Sequence, residues 1–407
     1  MSSRTVIPLH PQRATAPDTP QLTSPPPLSL YIHFPWCVRK CPYCDFNSHV
    51  AHHDGIPEAA YLDALIADLE AALPQVWGRR VMSVFIGGGT PSLLSADGLD
   101  RLLVAVRMRL PLDPLAEITL EANPGTVEAG RFAAYRAAGV NRLSLGVQSF
   151  DDRYLHALGR IHAGAEARRA AELALTHFET VNFDLMYALP GQSTKHLAAD
   201  LRNAIALGPQ HLSCYHLTLE PNTPFHRDPP AVPDADTAAD MQELVEATLA
   251  DAGYAHYETS AFARGGLRCR HNLNYWSFGD YLGIGAGAHS KLSSHEGIVR
   301  EMRHKHPGAY LAAHHGGAHH GSRFVQDRHA VGVADLPFEF MMNALRLTDG
   351  VPTDLFEART GIGLDAITPQ LLAARQRGLL EADRQQLRPT ARGQRFLNDL
   401  LQIFLKI

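Results

Sequence analysis

Three cysteines fall within eight positions, in the stretch Tyr31-Ile-His-Phe-Pro-Trp-Cys37-Val-Arg-Lys-Cys41-Pro-Tyr43-Cys44. Their spacing is C-x3-C-x2-C. Two more cysteines, Cys214 and Cys269, lie far away. An odd, crowded set suits a metal better than a disulfide framework. Thiolates are the usual ligands of iron–sulfur clusters. Three thiols on a four-iron cubane would leave one iron open to a small molecule. Zinc is the competing reading, with His33 or His49 as a fourth ligand. Three unligated core thiols fit less well, because Arg39 and Lys40 beside them favour thiolates.

The elements that must position this loop read as alternating strands and helices. Short apolar runs predict strands at 29–34 (SLYIHF), 81–86 (VMSVFI), 117–121 (EITLE), 141–147 (NRLSLGV), 181–186 (VNFDLM) and 211–217 (HLSCYHL). Helical spacing fills the gaps, at 59–73, 96–109, 128–138, 164–176 and 195–206. Six β-then-α units predict an α/β fold with a parallel sheet, curled into a partial (β/α)6 barrel. Chemistry in such barrels sits at the C-terminal ends of the strands. Five consecutive strands obey that rule here. They lead into the cysteine loop, Gly87-Gly88-Gly89-Thr90-Pro91, Glu121-Ala122-Asn123-Pro124 and Gln148-Ser149, and the fifth carries Asp184.

Length and charge set the outer bounds. The chain has 407 residues, which suggests two or three domains. Lys+Arg number 37 against Asp+Glu 42, a net charge of −5. A nonspecific DNA or RNA binder would need a basic excess. No apolar run is long enough for a transmembrane helix, and the first residues lack the pattern of a signal peptide. The expected location is therefore the cytoplasm.

Four regions follow. Residues 1–28 form a Pro-rich arm expected to be disordered. Residues 29–260 are the barrel. Residues 261–334 are a Gly- and His-rich extension carrying His271-Asn272-Leu273-Asn274-Tyr275-Trp276. Residues 335–407 read as helix, short helix, helix, hairpin and helix, a winged-helix-like module. That module holds nine basic and nine acidic residues. Its neutrality weakens a DNA-binding regulator as a reading. Within the extension, the histidines of 304–320 read as a solvent-exposed loop rather than a metal site.

At this point the sequence resembles the radical S-adenosylmethionine (SAM) superfamily. Within it, the chain is similar to the group of oxygen-independent coproporphyrinogen III oxidase (HemN) and the HemW-type heme chaperones. The resembling segments are YIHFPWCVRKCPYCDFNSH, FIGGGTPS, EANPGT, GVNRLSLGVQSF, LGR, NFDLMYALPGQ and HNLNYWSFGDYLGIGAGAHS. The resemblance implies that Cys37, Cys41 and Cys44 ligate a [4Fe-4S] cluster. It implies that Tyr31, Tyr43, Gly88, Gly89, Thr90, Glu121, Gln148, Arg160 and Asp184 surround SAM. The bland alternative for the last four is a set of strand-end caps and ion pairs.

Two features separate the readings inside this group. The oxidase has a further cysteine two places after the third ligand, where this chain has Phe46. The HNLNYW element resembles one that the chaperones have and the oxidase lacks. It makes His271 a candidate heme ligand, with Tyr275 and Trp276 packing on the macrocycle. Against this stands a histidine bonded in a turn with aromatics in the core. The resemblance implies a heme chaperone, with heme and membrane-bound respiratory hemoproteins as partners and a homodimer as one assembly. The first alternative is the oxidase, or another radical enzyme acting on a tetrapyrrole.

Overall fold

The computed structural model describes residues 22–51, 55–126, 129–315 and 323–405. Its centre is one twelve-stranded sheet. Six parallel strands form the barrel wall: β1 Leu28–Phe34, β2 Val81–Gly88, β3 Leu112–Ala122, β4 Arg142–Gln148, β5 Thr180–Tyr187 and β6 His211–His216. They pair in chain order. Helices Glu58–Ala72, Ala96–Arg109, Ala129–Ala138, Gly164–His177 and Thr194–Leu207 cover the outside. Each lies within two residues of its predicted bounds, and the α/β expectation holds.

The strands carry a period of two, which explains both faces at once. Leu30, Ile32, Val84, Ile86, Ile118, Leu120, Leu143, Leu145, Val181 and Phe183 belong to the core beneath the helices. The alternate residues face inward and are mostly polar: Ser29, Ser83, Thr119, Arg142, Ser144, Asn182, Asp184, His211 and Ser213. A barrel whose interior is merely filled would be lined by branched apolar side chains. This one lines a cavity.

Residues from 255 onward continue the sheet without a break. Strands β7 Ala255–Glu258 and β8 Ala261–Ala263 extend it past β6. On the other edge, β9 Asp280–Ile284 pairs in parallel with β1. Strands β10 His289–Ser294, β11 Gly297–Arg303 and β12 Val325–Ala330 follow in antiparallel order. The predicted His-rich loop is partly a helix, Pro307–His315, anchored by the buried Tyr310. Residues 316–320 of that stretch lie outside the described residues.

The C-terminal part has its own core, including Phe340, Phe356, Leu371, Leu387 and Leu400. Phe278, beside β9, reaches into it and packs edge-on against Phe340. Leu380 and Pro389 bridge as the expected hairpin requires, and Val351–Pro352 pairs with Gln386–Leu387. The expected last helix is divided at Phe396, into Ala391–Arg395 and Leu397–Gln402. The predicted arm lies largely outside the described residues. Its end does not hang free: Leu22 packs on the C-terminal core, and the Pro26 carbonyl accepts from Arg79.

Candidate functional site

The cysteine loop leaves β1 directly. Its two ends are pinned together, because Trp36–Cys37 pairs with His49–Val50. Lys40 ties the middle, donating to the carbonyls of Phe46 at 3.0 Å and Ser48 at 3.2 Å. The ammonium expected to favour thiolates is thus mainly a loop fastener. Burial dominates at the cysteines and pushes the Cys37 and Cys44 thiols up.

Other side chains reach the sulfurs, and Ser48 Oγ lies 3.9 Å from Cys44 Sγ. Thr90 Oγ1 donates to Cys37 Sγ at 3.5 Å, and Arg160 Nη1 donates to Cys41 Sγ at 3.6 Å. Asn123 joins them. Its Nδ2 donates to Thr90 Oγ1 at 2.9 Å, and its Oδ1 accepts from Arg160 Nη2 at 2.5 Å. Arg160 Nη2 also donates to the Gly146 carbonyl.

Gly88 and Gly89 are obligatory for a reason other than close approach of a ligand. Gly88 has φ +118°, and a Cβ there would lie 2.6 Å from the His33 ring. A Cβ on Gly89 would lie 2.5 Å from the Trp36 carbonyl oxygen. The first strand and the cysteine loop already occupy that space.

Beneath the loop lies a cavity of about 370 Å³. Of the residues predicted for cluster and SAM, all but Tyr31 line it. Tyr31 stands one layer back, with its hydroxyl on His33 Nδ1 at 3.0 Å and its ring against Phe85. Tyr43 lines the cavity and packs on Phe225. Gln148 holds φ +65°, a conformation that costs a side-chain-bearing residue about 1–3 kcal/mol and is tolerated mainly at functional sites.

The cavity is acidic where it is driest. Burial, and then the neighbouring Asp184, push the Glu121 carboxyl up to about 8. Glu121 Oε2 accepts from the Gly88 amide at 3.1 Å. Burial also raises Asp184, although it accepts from Asn182 at 2.8 Å and Ser144 at 3.2 Å. Two destabilised carboxylates facing one cavity favour a cationic ligand.

Comparison with known proteins agrees with this geometry. Residues 31–204 match the radical SAM superfamily model, and residues 333–396 match the HemN C-terminal domain model. Heme chaperone HemW of Escherichia coli (strain K12) is 50% identical over 382 residues, spanning 93% of this chain and 98% of its own. Heme chaperone HemW of Bacillus subtilis (strain 168) is 34% identical, spanning 93% and 99%. The chain belongs to the HemW family. The solved structure of coproporphyrinogen III oxidase (HemN) from Escherichia coli superposes with a TM-score of 0.78 at 24% identity, covering 93% of this chain and 90% of that one. That likeness establishes a shared fold.

The radical SAM superfamily implies a [4Fe-4S] cluster and SAM, and the donor set of this HemW-family chain fits both. Among the described residues, no three His, Cys, Asp or Glu side chains converge on a single ion. Three thiols with an open fourth position suit a cluster better than one zinc, which takes four protein ligands in structural sites. His33, a candidate fourth zinc ligand, has both ring nitrogens engaged, by the Tyr31 hydroxyl and the Asn47 carbonyl. For SAM, the acidic pair offers a place for positive charge, and the buried Arg160 Nε still lacks a partner.

The HNLNYW element is the short helix Arg270–Trp276. Glu117 caps it, accepting from the amides of Arg270 at 3.1 Å and His271 at 3.2 Å. Its three heme candidates meet three different surroundings. His271 is buried, bonded through Nδ1 to Ser83 Oγ at 3.1 Å, with its ring on Phe85. Burial, and then the charge of Arg142, push this imidazole down to about 3. Tyr275 packs on Tyr281, and Trp276 lies under the Arg346 guanidinium. Asn272 is the member of the element that lines the cavity.

Sequence reading missed Asn123, Glu117 and Arg142. Asn123 lies within the EANPG segment beside Glu121. The other two occupy inward positions in the period of two that also carries Glu121 and Gln148.

Proposed function

We propose that this chain is a cytoplasmic heme chaperone. It holds heme together with a [4Fe-4S] cluster and SAM, and delivers the heme to membrane-bound respiratory hemoproteins. The observation that carries this is the likeness, end to end, to proteins named heme chaperone HemW, at 34–50% identity. Phe46 adds to it: the residue is 60% exposed and stands where the oxidase has a further cysteine.

The roles follow from the cavity. Cys37, Cys41 and Cys44 hold the cluster, which supplies an open iron for the methionine end of SAM. Thr90 and Arg160 donate to the sulfurs. Glu121 and Asp184 accept from the cationic and hydroxyl groups of SAM, and Gln148 is aimed from its left-handed backbone. Tyr43 excludes water at the mouth. His271 stays neutral across physiological pH, as an iron ligand must. It reaches heme only when the helix Arg270–Trp276 shifts from Ser83.

The test is transfer. Protein loaded with heme under anaerobic conditions is mixed with an apo-hemoprotein, and the Soret band is followed. Heme moving to the acceptor, with no turnover of coproporphyrinogen III in the same preparation, supports the chaperone. Turnover without transfer would make the chain the oxidase.

A further inference from the structure

One charge inside the barrel is unused by anything above. Arg142 begins β4, deep in the cavity and away from the thiol mouth. It is 3% exposed, and its Nε has no partner. The carboxylates near it are committed elsewhere. Glu117 caps the helix Arg270–Trp276, and Asp184 is held by Asn182 and Ser144. Thr119, its register partner on β3, buries a hydroxyl that also lacks a partner.

A buried guanidinium without a bonded anion is costly unless a ligand completes it. The other lining groups here, Ser144, Asn182, Ser213 and Asn272, are neutral hydrogen-bonding residues. Asp184, and Glu121 once it is ionised, limit how much negative charge can enter. A phosphate dianion would be repelled, whereas a single carboxylate matches the fork of one arginine.

We propose that Arg142 anchors a carboxylate of the ligand inside the barrel. On the heme reading proposed above, that carboxylate is a propionate. Asn272, next to the proposed heme ligand His271, lines the same cavity as Arg142. The second source of the same chemistry is a porphyrinogen carboxylate, on the oxidase reading.

Two ligand pairs distinguish the sources. Anaerobically reconstituted wild type and Arg142→Gln are titrated with hemin and hemin dimethyl ester, then with coproporphyrin III and its tetramethyl ester. The variant should lose about ten- to hundred-fold in affinity for one carboxylate-bearing ligand and keep its affinity for the matching carboxylate-free analogue. The pair that responds names the source. Thermal unfolding of the ligand-free proteins guards against misfolding. The variant should melt close to the wild-type midpoint, because Glu117 and Asp184 keep their own hydrogen-bond donors. Unchanged affinity for both carboxylate ligands overturns the proposal, and so does a midpoint far below wild type. Wild type that fails to bind hemin defeats the heme reading alone, and the coproporphyrin pair still decides Arg142.

Discussion

Thr90 and Arg160 each bond one thiol of the cysteine loop, and Asn123 ties them to each other. Strand ends far apart in sequence therefore set the positions of Cys37 and Cys41 jointly. Partial loss weakens such a network, because the remaining members, buried or half-buried, are left with an unmet bond.

Asn123→Ala should leave the three ligands present but looser. The reconstituted cluster should bleach faster under a chelator than in wild type. SAM affinity should fall about tenfold, the worth of one or two charge-assisted bonds. Bleaching at the wild-type rate would show that the thiols are positioned without it.

Gly89→Ala forces a Cβ to 2.5 Å from the Trp36 carbonyl. Backbone cannot yield as a flexible side chain does, so the loop must lift from β2. Iron content after reconstitution should drop well below wild type while the helical circular dichroism persists.

Glu121 gives SAM binding a pH dependence. Its carboxyl is raised from 4.5 to about 8, so it is protonated at neutral pH in the ligand-free chain. A cationic ligand favours the ionised form, so binding expels a proton. SAM affinity should rise with pH, by up to about tenfold per unit below 8, and level off above it. Stability runs the other way. The folded value lies above the ordinary one, so this contribution is full below 4.5 and is lost as pH rises through 8. Glu121→Gln should flatten both slopes, read by calorimetric titration and by denaturation across pH.

Asp68 fastens the first helix to the far edge of the sheet. It is buried and accepts from Arg303 at 3.0 Å, Tyr310 at 2.8 Å and the Gly285 amide at 3.2 Å. Asp68→Ala leaves the buried Arg303 with Glu301 as its remaining carboxylate partner. Chemical denaturation should show a loss of about 3–5 kcal/mol.

Sequence alone exposed the site where residue type and position coincide. Cys37, Cys41, Cys44, Glu121 and Gln148 are polar residues at or beyond strand ends, Asp184 lies within its strand, Arg160 follows a short helix, and all line the cavity. Arg142 escaped notice because an arginine opening a strand looks like a solvated flank. Lys40 and Gly89 were legible as residues but not as contacts, since their partners come from backbone that the fold brings near. The edge strands were hidden for another reason. Ala261–Ala263 is three residues long, and Val325–Ala330 is mostly exposed and polar, so neither shows an apolar run.

The central claim is that this chain binds heme through the helix Arg270–Trp276. The most direct measurement is an anaerobic hemin titration of cluster-reconstituted wild type and His271→Ala, following the Soret band between pH 6 and 8. Because His271 is neutral throughout that range, wild type should saturate near one heme per chain with little pH dependence. The variant should bind more weakly with a shifted band. Wild-type protein that never saturates would contradict the account and leave a radical SAM enzyme in its place.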